Sequence, residues 1–70
     1  MERTELIELT GQLFSGEYKE QSTGVIKKFG GVLKKLDDNM ATFEGRYKTF
    51  ILDYRTLGNI NYRQPDEVRE

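Results

Sequence analysis

Two lysine pairs and a short basic-aromatic segment are the parts of this sequence whose residue types and spacing could act on a partner. The lysine pairs stand seven residues apart in the near-repeat GVIKKFGGVLKKLD, and the basic-aromatic segment is GRYK. Cationic side chains neutralise phosphates, and an aromatic ring can stack on an unpaired base. The candidate nucleic-acid-binding residues are Lys27, Lys28, Lys34, Lys35, Arg46, Tyr47 and Lys48.

The lysines also have two other interpretations. Lysines on edge strands keep a sheet from pairing with another sheet, and a cationic stripe beside an apolar one suits a helix on a membrane surface. Residues 19–55 hold eight basic and five acidic residues, whereas the two flanks hold three basic and seven acidic. The acidic flanks argue against binding to a membrane surface. The net charge of −1 is lower than the charge expected of a dedicated nucleic-acid binder.

Catalytic chemistry has little support in the sequence. The chain contains no histidine and no cysteine, which removes the commonest general base, the usual zinc ligands and the usual activated nucleophile. Ser15 and Ser22 have no evident base, and the adjacent Asp37 and Asp38 suit a turn better than a proton-sharing pair. We therefore expect a protein that is not an enzyme, with no cofactor, no metal and no small-molecule substrate.

Length and composition predict one small cytoplasmic domain. Seventy residues bury only about 60% of the surface of the unfolded chain, and without cysteine a small core gains stability chiefly by packing or oligomerisation. No apolar run is long enough to cross a membrane, and the acidic start of the chain is unlike a signal peptide. We expect a domain over residues 1–63 and a disordered polar tail over 64–70.

Turn signals divide the chain into short segments. Thr4 to Phe14 fits either a strand or a helical face, and the strand is favoured weakly by Thr10 and Gly11. The polar stretch over 15–24 indicates a turn, and two tight hairpins are expected at residues 37–39 and 44–46. The segment DYRTLG indicates a single helical turn before a last strand, NINYR.

The near-repeat over 24–36 is ambiguous between helix and strand. On a helix its apolar residues fall within an arc of roughly 120° and the lysines lie outside it. Gly30 and Gly31 in the middle, and Asp37 and Asp38 at the end, disfavour a helix. A strand requires a bend or bulge, because the doubled lysines break strict alternation. We expect two successive curved strands with the glycines between them.

Two resemblances favour the strand interpretation. The segment GVLKKLDDNM, 31–40, resembles the first motif of Sm-like RNA-binding barrels, although Ala41 stands where the RNA-contacting asparagine of that motif would follow. The span 16–60 is also similar to YolD-like small barrels, through STGVIKKF and the closing LDYRTLGNI. Both resemblances imply a small barrel in which the lysine pair lies on a curved strand.

The sequence therefore predicts an all-β fold, a small SH3-like or Sm-like barrel of about five strands with a one-turn helix before the last strand. The alternative is an α+β fold with a helix at 24–36 packed on a C-terminal meander. The favoured function is a non-enzymatic binding module that acts as a protein-interaction adaptor or inhibitor, with a protein partner or a homo-oligomer. The alternative is a regulatory binder of RNA or single-stranded DNA that uses a basic strip with Tyr47.

Overall fold

A computed structural model describes residues 2–64 of the chain. The elements, in chain order, are α1 (Arg3–Glu8), β1 (Leu13–Lys19), β2 (Ile26–Asp37), β3 (Met40–Glu44), β4 (Thr49–Asp53), a one-turn 3-10 helix (Tyr54–Thr56) and β5 (Leu57–Arg63). All paired strands are antiparallel, in the order β4-β3-β2-β1-β5. The predicted all-β class, the five strands and the helical turn before the last strand are confirmed. The alternative helix at 24–36 is wrong.

The sheet is strongly curved, and its concave face holds the core. Two strands, β2 and β3, separate Tyr18 of β1 from Phe50 of β4 in the sheet, yet the ring centroids of these residues are 6.4 Å apart. The fully buried or nearly buried core residues are Leu6, Phe14, Phe29, Leu33, Ala41 and Phe43. Their rings pack closely, with centroid distances of 5.4 Å for Phe14 and Phe43 and 4.8 Å for Phe29 and Phe43. Aromatic residues therefore fill most of this small core.

The near-repeat forms one continuous strand, which corrects the expectation of two. The first half of β2 pairs with β1, from Ile26 to Val32, and the second half pairs with β3, from Val32 to Asp37. The two glycines therefore lie inside the strand, where it passes from one partner to the other. A Cβ on Gly31 would lie 2.7 Å from the carbonyl carbon of Glu44, so this approach of β3 requires glycine.

A bulge explains the second lysine pair. The register between β2 and β3 shifts between Leu33 and Lys35. Leu33 is buried in the core and Leu36 packs against it, while Lys34 and Lys35 are both exposed. An extra residue in one strand lets two successive side chains point away from the core. Two adjacent exposed lysines are thus compatible with a strand, because β2 contains the bulge that the sequence pattern requires.

The favoured strand over Thr4 to Phe14 is wrong for most of its length. Residues 3–8 are helical, and only Leu13 and Phe14 belong to β1. Leu6 is fully buried, while Glu5 accepts a hydrogen bond at Oε1 from the backbone N–H of Glu2 at 3.1 Å and so caps the helix. The helical face was the better of the two interpretations because Leu6 and Leu9 both pack on the core.

The predicted hairpin turns are present. Asp38 has a φ of 55° in the turn between β2 and β3, a backbone conformation that tight hairpins need. The turn between β3 and β4 spans 45–48 and is closed by a hydrogen bond from Gly45 N–H to the Lys48 carbonyl at 2.9 Å. The polar turn before β2 covers 20–25 rather than 15–24, because Ser15 to Lys19 lie in β1.

The predicted tail falls almost wholly beyond the part of the chain that is described. Residues 65–70 and Met1 lie outside it, so the domain bounds stay a prediction. Within residues 2–64, neither helix has the length and apolar character needed to cross a membrane.

Substitution of Gly31 tests the contact between β2 and β3. Gly31→Ala is expected to lower the free energy of unfolding by about 2 kcal/mol, because the new methyl group meets backbone atoms. Gly30→Ala is the matched control: its Cβ would lie 3.6 Å from the Phe14 carbonyl oxygen, an ordinary contact. Its stability should be unchanged or higher by up to about 1 kcal/mol. Equal stability of the two variants in chemical denaturation would contradict the contact.

Asp53 gives the fold an acid-sensitive contact before the 3-10 helix. Hydrogen bonds from the Arg55 guanidinium, at 2.7 Å and 3.0 Å, and then from the Arg55 backbone N–H lower the pKa of Asp53 from 3.8 to about 2. A carboxyl whose pKa is lower in the folded state stabilises above its unfolded pKa and loses that effect as the pH falls through the folded value.

Asp53→Asn is therefore expected to be less stable than the parent protein at neutral pH. The difference in unfolding free energy should begin to narrow near pH 4 and should be almost gone at about pH 2. Denaturation of both proteins across this pH range measures it. A difference that stays constant with pH would show that the ionised carboxylate does not provide the stabilisation.

Candidate nucleic-acid interface

The first lysine pair is split between the two faces of the sheet. Lys27 pairs across the strands with Tyr18, which packs on the core, so Lys27 projects from the concave face. Its Nζ lies 3.2 Å from Oε2 of Glu20, and hydrogen bonds from Thr23 and then Lys27 lower the pKa of Glu20. Lys28 projects from the convex face, opposite Glu17.

The second lysine pair is on the convex face but is only partly available. Lys34 Nζ lies 3.3 Å from Oε1 of Glu44, and both side chains are more than half exposed. Such an exposed pair contributes at most about 1 kcal/mol and opens readily. Lys35 lies opposite Thr42, on the far side of the bulge.

The loop between β3 and β4 presents the third group of candidates. Gly45 brings this loop down onto β2, since a Cβ there would lie 2.8 Å from the Gly30 carbonyl oxygen. Tyr47 is 90% exposed. Lys48 Nζ lies 4.8 Å from the ring centroid of Phe50, a cation–π geometry that holds the ammonium group beside the loop.

Three of the candidate cations meet in one depression, which we call the loop groove. It has a volume of about 330 Å³, and its lining includes Lys28, Gly30, Arg46, Tyr47, Lys48 and Phe50. No acidic residue among residues 2–64 lines it. The fold therefore gathers Lys28, Arg46, Tyr47 and Lys48 and leaves Lys27, Lys34 and Lys35 elsewhere.

A larger depression, the sheet groove, adjoins the loop groove through Gly30, Gly45 and Arg46. Its volume is about 620 Å³, and its lining includes Leu13, Ser15, Val32, Asn61, Tyr62 and Arg63. Glu44 is the one acidic side chain that lines either groove within the described residues, and it is engaged with Lys34. The joint surface of the two grooves therefore has a local excess of positive charge.

Sequence reasoning missed the contribution of β5. Tyr62 is 48% exposed, and Arg63 forms no ion pair or side-chain hydrogen bond with residues 2–64. The same holds for Arg46. The sequence feature that could have indicated this contribution is the adjacent aromatic and basic pair Tyr62 and Arg63, which matches the pair Arg46 and Tyr47. Only the pairing of β5 with β1 brings the two segments to one surface.

Comparisons with protein-family models, with curated proteins and with solved structures found no match to this chain. The resemblances to Sm-like and YolD-like barrels stay predictions. The geometry and charge of the two grooves therefore indicate what this protein can bind.

Proposed function

We propose that this protein is a non-enzymatic module that binds single-stranded nucleic acid across the loop groove and the sheet groove. The observation that carries the proposal is the gathering of four cations, Lys28, Arg46, Lys48 and Arg63, around two adjoining depressions with one acidic neighbour. Phosphates supply the complementary charge. A regulatory role and a cytoplasmic location are part of the same proposal.

The aromatic side chains favour an unpaired strand over a duplex. Tyr47 stands almost fully exposed between Arg46 and Lys48, so its ring can accept a base while its neighbours contact phosphates. Stacking of this kind is available only to bases that are not already stacked in a helix. A duplex would offer the same phosphates without the bases.

Salt dependence and charge reversal test this function. A labelled 12-nucleotide single strand should bind at low salt, with a slope of log affinity against log salt of about −2 to −3 for three or four neutralised phosphates. The double variant Lys28→Glu and Arg46→Glu should lower the affinity by roughly tenfold or more. Fluorescence anisotropy measures both effects.

The double variant Lys19→Glu and Lys35→Glu is the matched control for the charge change, because both lysines are exposed and line neither groove. It should leave affinity within about twofold of the parent protein. Absence of binding at low salt, or an equal loss in the control variant, would overturn the proposal.

A protein partner is the second candidate function, and the unpaired edge of β4 favours it. Among the described strands, β4 and β5 are the two edges of the sheet. Residues 49–52 of β4 carry no charge, and Ile51 is 61% exposed on the convex face beside Met40. An uncharged edge with an exposed apolar side chain can accept a strand from another chain, here a second copy.

Ile51→Lys tests self-association through this edge. If β4 pairs with a second copy, the solution mass of the parent protein should exceed that of a monomer at high concentration, and the variant should be monomeric because a charge blocks strand addition. Light scattering over a concentration series measures this. A parent protein that stays monomeric at every concentration would remove homo-oligomerisation at this edge.

A further inference from the structure

We infer that the sheet groove takes one unpaired base of the bound strand, while Arg46 and Arg63 contact the phosphates beside it. This inference rests on the proposed function and specifies how one nucleotide is held. It concerns a groove that no candidate residue from the sequence, apart from Arg46, helps to line.

The shape of the groove follows from the strand register. Ser15 lies opposite Gly30 on one side and opposite Asn61 on the other, which places these three residues in one row on the convex face. Leu13 lies opposite both Val32 and Arg63 and defines the neighbouring row. Since Gly30 has no side chain, its row has a gap beside the apolar side chains of Leu13 and Val32.

The dimensions and chemistry of this gap suit a planar ring. The sheet groove that contains the gap has a volume of about 620 Å³, which falls within the range of small-ligand sites, roughly 300 to 1,000 Å³. Leu13 and Val32 are half-buried and offer apolar surface to the faces of a base. Tyr62 also borders the groove, but it lies opposite Phe14 and its ring packs on Phe14 toward the core, at a centroid distance of 5.5 Å.

Polar groups in the groove can contact the edge of a base. The Asn61 amide and the Ser15 hydroxyl make no side-chain hydrogen bond with another described residue, and both line the groove. An amide offers a donor and an acceptor together, as base edges do. The arginines at the same groove have no carboxylate partner within residues 2–64, so the charge complementarity points to a nucleotide unit.

Gly30→Val tests the base site by filling the gap. The probes are two labelled 12-nucleotide strands with the same phosphate charge, one of deoxythymidine and one abasic, and deoxythymidine monophosphate. The parent protein should bind the base-bearing strand about tenfold more tightly than the abasic strand. Gly30→Val should lower that preference, because the valine side chain occupies the space of the base.

Two further variants keep the result interpretable. Gly58→Val is the matched control, because a Cβ at Gly58 meets no atom within 4 Å and Gly58 lies outside both grooves. It should keep the preference for bases. Asn61→Ala should lower that preference about threefold to tenfold by removing one hydrogen-bonding group. Thermal melting of each variant shows whether it is folded, and if Gly30→Val is unfolded the Asn61 variant decides.

The outcomes separate the two proposals. Equal binding of base-bearing and abasic strands, or an unchanged preference in Gly30→Val and Asn61→Ala, would overturn the base site and leave electrostatic strand binding in place. No binding of either strand would overturn the proposed function itself. Binding of the free nucleotide as tightly as the strand would support the groove as a nucleotide site and overturn strand binding.

Discussion

Both grooves of this protein follow from one close backbone contact, between β2 and the end of β3. Gly31 meets the Glu44 carbonyl group and Gly45 meets the Gly30 carbonyl oxygen, each at a separation that leaves no room for a Cβ. This contact fixes the place where β2 leaves β1 for β3. It also places the β3–β4 loop beside Gly30, so that Arg46, Tyr47 and Lys48 lie next to a part of β2 that carries no side chain. The grooves form because Gly31 and Gly45 allow β2 to contact β3 closely and allow the β3–β4 loop to lie beside Gly30.

The cationic side chains on this surface differ in whether another side chain already pairs with them. Lys27 and Lys34 each face a carboxylate, and Lys48 lies over an aromatic ring, whereas Arg46 and Arg63 have no ion-pair partner among residues 2–64. Guanidinium groups are weakly hydrated, form bidentate hydrogen bonds with phosphate and stack on aromatic rings. The two arginines, on the loop and on β5, are therefore better placed to recognise a ligand than the lysine pairs that dominate the sequence.

Local sequence signals predicted the turns and the C-terminal strands, but not the N-terminal helix, the continuity of β2 or the surface. The turn at 37–39, the loop after Glu44 and the helical turn at Tyr54 each have their own turn-forming residues, so they could be found from the sequence. The direction of the lysines could not, because it depends on the β2–β3 bulge, and a bulge is a property of two paired strands. The same reason explains why the contribution of β5 to the grooves was missed: its nearness to the loop arises only from pairing with β1. At the N-terminus, leucine spacing fitted two structures, and packing on the core decided for the helix.

Backbone amide chemical shifts, followed by NMR while a single-stranded 12-mer is added, show whether the two grooves form one binding surface. If the strand binds across both grooves, the largest changes will cluster at Gly30, at Gly45 to Tyr47 and at Asn61 to Arg63, which are distant in sequence and joined only by the grooves. Changes confined to the β4 edge, or scattered over all lysines regardless of face, would contradict it.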